Sequence, residues 1–114
     1  MVTIRIRDLV GAVESEFSFL ELIGIPLAES FEIFPESFKG GFELIFRAAT
    51  GREVRFVYAD LELRVCAGNI EVFGAANHEP FAGNMFNREH LIKALPKIRQ
   101  AVEPTLRSFA QGDT

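Results

Sequence analysis

The chain opens on a two-residue alternation, with Val2, Ile4 and Ile6 set against Thr3, Arg5 and Arg7. That pattern predicts a strand over 2–7 with one apolar and one basic face, and its β-branched residues suit a pleated surface. Val13, Phe17, Leu20 and Ile23 then recur at helical spacing, with Gly24 behind them as a C-cap. A helix is therefore predicted over about 11–23. Pro26 is placed to open a second short helix carrying Leu27, Phe31 and Phe34 on one face, and Pro35 to end it. Residues 37–41, closed by Gly40 and Gly41, read as a loop.

From position 42 the period returns to two. Phe42, Leu44 and Phe46 alternate with Glu43, Ile45 and Arg47, and Thr50 and Gly51 mark a turn. Residues 52–66 run on without Gly or Pro. A straight strand of that length spans roughly 50 Å, too long for a domain whose radius of gyration is about 13 Å. The break is written in the phase. Val54, Phe56 and Tyr58 are apolar at even positions, and Leu61, Leu63 and Val65 at odd ones, so a bulge or tight turn belongs at Ala59 and Asp60. Gly68 and Asn69 form a two-residue hairpin loop before a returning strand over 70–73. This middle region is an antiparallel meander.

Residues 74–87 hold Gly74, Pro80, Gly83 and three asparagines, and read as a long loop with Asn87 as the N-cap of a final helix. Leu91, Leu95, Ile98, Val102, Leu106 and Phe109 keep one helical phase across Pro96 and Pro104. Two independent helices have no reason to share a phase. One amphipathic helix is predicted over about 88–110, kinked at one or both prolines. The fold class is α+β, a single domain over 1–114. An antiparallel β-meander sheet of four or five strands is packed by the long kinked C-terminal amphipathic helix, and the segment 9–41 sits at an edge or caps the other face.

Composition sharpens this picture. Twelve of the 114 residues are phenylalanine, Trp is absent and Tyr58 is the one tyrosine. Phe brings apolar area without a hydrogen-bonding handle, so the chain is built to make a core, a lined pocket or an adhesive interface. More apolar bulk than a small monomer hides easily predicts a two-fold homodimer, joined through the exposed part of 17–46 or a sheet edge. The charge is uneven. Residues 8–43 carry eight acids against Lys39 alone, a net of minus seven, whereas 44–114 carry eight acids and nine bases. That acidic half argues against nucleic-acid binding and reads either as a solvated face or as a docking face for a basic partner. No apolar run reaches the ~18 residues of a membrane span, and the first residues lack a signal-peptide pattern. A soluble, cytoplasmic protein with no membrane partner is expected. A single cysteine, Cys66, fits a reducing compartment and reads as a small buried hydrophobe.

The candidate chemistry gathers at the long loop. His78 and His90 bracket it, with Glu79 and Glu89 beside them. Their spacing matches no metal motif, so neither a metal nor another cofactor is expected. No Gly-x-Ser-x-Gly nucleophile elbow is present. Phe81 and Phe86 in the loop, folded over the sheet end, would line a groove for a small apolar or amphipathic ligand. Tyr58, Asn84, His90 and His78 would supply the orienting polar groups. The alternatives are an interaction or homodimerisation protein using the acidic N-terminal half and, behind it, a small enzyme working through His78, Glu79 and His90. The arginines at 5, 7, 47, 55 and 64 are expected on strands, pairing internally with the acidic half or clamping a carboxylate.

Overall fold

The computed structural model describes residues 4–34, 40–59, 62–74 and 88–112. The elements run α1 (Ile6–Glu16), α2 (Phe19–Leu22), β1 (Leu27–Ile33), β2 (Gly41–Arg47), β3 (Glu53–Ala59), β4 (Glu62–Ala67), β5 (Ile70–Gly74) and α3 (Arg88–Ala110). The class is α+β, with a five-stranded antiparallel sheet in sequential order β1-β2-β3-β4-β5.

The first expected strand is instead the start of a helix. Ile6 and Arg7 open α1, and Arg5 is its N-cap. Ile6, Leu9, Val13 and Phe17 form a stripe of period three to four, all fully buried. That stripe outweighs the short alternation before it. The Arg5 backbone N–H donates to the Asp8 carboxylate at 3.1 Å, and Asp8 lies in the first turn, where the dipole favours an acid. The helix expected over 11–23 is thus two pieces, displaced toward the N-terminus. The interruption in helical direction falls here, between Glu16 and Phe19, rather than at the prolines of α3.

Gly24 ends α2 as expected. Its φ is 90°, the Ile25 N–H donates to the Leu20 carbonyl at 2.8 Å and the Gly24 N–H to that of Glu21 at 3.2 Å. This is a Schellman motif, with buried Leu20 and Ile25 as its apolar contact. The expected second helix after Pro26 is strand β1, which pairs with β2 through Glu29↔Ile45, Phe31↔Glu43 and Ile33↔Gly41. Leu27, Phe31 and Phe34 mimic helical spacing, but β2 offers a ladder that a lone short helix cannot match.

Strands β2 to β5 lie where the alternation places them, while the loop expected over 74–87 lies, Gly74 of β5 apart, outside the described residues. Gly51 turns at φ 94° between β2 and β3, and Gly68 at φ 61° between β4 and β5. Ala59 pairs with Glu62, so the change of phase is a hairpin. The whole of 88–110 is one helix containing both prolines.

Register decides the layers. Phe42, Leu44, Phe46, Val54, Phe56, Tyr58, Leu63, Val65 and Phe73 share one face and join a single core with Ile6, Leu9, Val13, Phe17 and Leu20, and with Leu91, Leu95, Ile98, Val102 and Leu106. Helices α1 and α3 pack on each other; α1 also contacts β2 and α3 contacts β5. The N-terminal helices therefore share a face with α3 instead of capping the opposite one. Among the described residues the other face carries no helix. It displays Ile45, Val57 and Cys66 between charged side chains, and Ile45 is buried without belonging to the core.

Candidate functional site

Six large apolar side chains are exposed among the described residues, and four of them belong to one strand and its end. Leu27 is 41 % exposed, Phe31 47 %, Ile33 41 % and Phe34 76 %. Strand β1 pairs with β2 alone, so its second edge faces outward without a strand among the described residues. Soluble proteins usually blunt such an edge with lysine, proline or a bulge. Among the described residues a proline and a register slip stand at the start alone, where Pro26 precedes the strand and the register shifts between Leu27 and Glu29. From Glu29 to Ile33 the ladder with β2 is regular and the side chains read Glu, Ser, Phe, Glu, Ile.

Pairing with β2 sets two faces along this edge. Glu29, Phe31 and Ile33 lie on the outer face, and Ser30 and Glu32 on the helix side. Phe34 closes the strand at φ 46°, a left-handed conformation that costs a bulky residue about 1–3 kcal/mol. The strained residue is also among the most exposed phenylalanines. The edge is tied to the sheet by Arg47, whose guanidinium donates to Glu29 Oε2 at 2.7 Å and to Glu53 Oε2 at 2.6 Å, linking β1, β2 and β3. That satisfies Glu29 and leaves Glu32 exposed, with no cationic partner among the described residues.

The second opening lies at the other end of the sheet. Thr50, Gly51, Arg52, Glu53, Arg55, Gly68, Asn69 and Phe109 line an open groove of about 770 Å³. Arg52 is committed there: it donates to the Phe109 carbonyl at 3.2 Å and lies over the Phe109 ring, capping the end of α3. Arg55 has no carboxylate partner among the described residues, because Arg47 holds Glu53 and Arg64 holds Glu62 and Glu71. Cys66 pairs across the strands with Arg55. Burial pushes its thiol pKa up, and Arg55 opposes that rise. No three His, Cys, Asp or Glu side chains among the described residues are grouped to hold a metal, and no described helix is long and apolar enough to cross a membrane.

Of the six residues expected to line a ligand groove, Phe81, Phe86, Asn84 and His78 lie outside the described residues. Tyr58 is fully buried, stacked on Phe42 with ring centroids 5.7 Å apart. Burial raises its phenol pKa, and the Arg88 guanidinium opposes the rise. His90 stands exposed in the first turn of α3, and no hydrogen bond or ring contact joins it to Tyr58. Seven phenylalanines (17, 19, 42, 46, 56, 73 and 109) are buried within one copy of the chain. The arginines expected on strands divide: 47, 55 and 64 are there, 47 and 64 pairing internally, whereas Arg7 lies in α1 and Arg5 is its N-cap. The sequence pattern does not single out the edge residues Leu27, Ile33 and Phe34 as a site, although Glu29, Phe31 and Ile33 do alternate with Ser30 and Glu32 in strand fashion.

Set against known proteins, this chain matches no family model, no curated protein and no solved structure.

Proposed function

We propose that the protein is an interaction module that binds another polypeptide along the open edge of β1. One observation carries this reading: a strand that pairs on one side alone among the described residues and whose exposed side chains include Leu27, Phe31 and Ile33, with Phe34 at its end. An exposed apolar edge left in a soluble fold is either a liability or a docking line. Main-chain pairing would supply affinity and the alternate side chains selectivity. The strained Phe34 supports the same reading, since its backbone conformation sets an apolar ring at the end of that line. Among the described residues the rival reading, an apolar groove for a small ligand, has no comparable observation behind it. Phe17, Phe42, Phe46 and Phe56 fill the core instead of lining a cavity.

Hydrogen exchange tests the proposal. The amides of 29–33 are followed in the chain alone, at high chain concentration, and with short strand-forming peptides of differing charge. A gain in protection over the dilute chain, at high chain concentration or with any peptide, supports edge binding; exchange unchanged from the dilute chain in all of them overturns it.

A further inference from the structure

Resting on that edge-binding reading, we infer that the partner is an extended cationic segment, alternating apolar and basic residues, that adds to β1 as a sixth strand. The register of β1 states what such a strand meets. On the outer face it runs beside Phe31 and Ile33, and on the helix side beside Ser30 and the exposed Glu32. A partner with period two therefore places apolar side chains against the first pair and Lys or Arg against the second.

Charge selects this occupant over the alternatives. Between Arg7 and Lys39 the chain contains no Lys, Arg or His. The edge strand, α2 and all of α1 beyond Arg7 hence offer an incoming strand no cation of their own. Glu29 is the one acid of β1 already neutralised, by Arg47. Glu32 remains, and Glu43, half-buried across from Phe31 on β2, has no cationic partner among the described residues. A second copy of this chain pairing through the same edge brings like charge to like charge, which disfavours it. An acidic strand suffers the same penalty, and a neutral one leaves Glu32 unanswered.

The lack of lysine has a second consequence. Lysine on an edge strand is a common guard against adventitious pairing. Here its absence lets a cationic strand approach without repulsion, while acidic side chains turn away the acidic edges of other proteins.

The test uses the full chain and three synthetic peptides of equal length, alternating Val with Lys, Val with Thr, and Val with Glu. Binding is read by fluorescence anisotropy, and its location by exchange at the β1 and β5 amides. The Val–Lys peptide binds most tightly and protects 29–33. Its affinity falls about tenfold from low to high ionic strength. Glu32→Lys weakens it by at least about fivefold, and Glu32→Gln by less. Phe31→Asp weakens all peptides, with circular dichroism unchanged. Equal binding of the three peptides, protection at β5 instead of β1, or no effect of Glu32→Lys overturns the cationic partner. So does light scattering that shows a stable dimer protected at 29–33, which leaves edge binding standing with a second copy as its occupant. No protection of 29–33 in any arm overturns both readings together.

Discussion

The ring of Phe17 sits 4.5 Å from that of Phe56, centroid to centroid, and is tilted by 53°. Phe17 ends α1 and Phe56 occupies the middle of β3, so this contact joins the helix layer to the centre of the sheet. Phe56 also meets Phe46 edge-on at 5.4 Å. Both partners of the first pair are fully buried. Phe17→Ala is therefore expected to lower unfolding free energy by about 3–5 kcal/mol, and Leu95→Ala in α3 by about 2–5 kcal/mol. Urea denaturation measures both, and losses under about half a kcal/mol would place these residues outside the core.

Gly41 admits no side chain. A Cβ there overlaps the Tyr58 carbonyl, a backbone atom that cannot swing away. Gly41→Ala must spread β2 from β3 at the end where Phe42 pairs with Tyr58. A loss of more than about 2 kcal/mol is expected, comparable with overpacking a core. Gly11, with open space around it, is the control: Gly11→Ala should stabilise α1 by about 0.5–1 kcal/mol.

Tyr58 makes stability depend on alkaline pH. Its folded pKa is raised above the ordinary phenol value of 10.0, first by burial. The folded state thus favours the protonated form. The contribution is fully present below the ordinary value and is lost as pH rises through the higher folded value. Tyrosinate absorbance should show one late transition, since the chain has a single tyrosine. Tyr58→Phe should flatten the fall in denaturation midpoint above about pH 10. An early tyrosine transition in the folded protein would contradict the burial.

Cys66 should be a slow nucleophile. Its thiol pKa is raised chiefly by burial, while Arg55 pulls it down, so the thiolate fraction at neutral pH is small. Alkylation is expected to run slower in the folded chain than in denaturant. Arg55→Gln should slow it further, because the cation that favours the thiolate is gone. Faster alkylation in that variant would reverse the assigned role of Arg55.

The half of the fold that can be read from sequence is the half in which burial is one-sided. Val54, Phe56 and Tyr58 alternate cleanly because one face of β3 meets helices and the other does not. The stripe of α3 persists through Pro96 and Pro104 because its buried side chains keep phase. β1 defeats the same reasoning: it is exposed on both faces, so burial imposes only the short alternation of Glu29, Phe31 and Ile33 with Ser30 and Glu32, and Leu27, Phe31 and Phe34 fall by spacing into a helical pattern. At the N-terminus Ile4 and Ile6 satisfy a strand period, while Ile6 equally begins the helical series that the core selects. The open edge of β1 is hidden for the same reason, since unpaired backbone leaves little trace in side-chain periodicity.

The sequential strand order has a bearing on how the molecule is made. Each strand pairs with its neighbour in the chain, so the sheet can zip up one hairpin at a time as the polypeptide leaves the ribosome, with short loops to close. Its inner face, however, is roofed from both ends of the chain, by α1 before the sheet and α3 after it. A nascent sheet therefore waits half-covered until α3 is synthesised, with Phe73 and its neighbours on β4 and β5 bare in the interval. Chaperone dependence should accordingly peak before α3 emerges, and a chain arrested before residue 88 should be the form that aggregates.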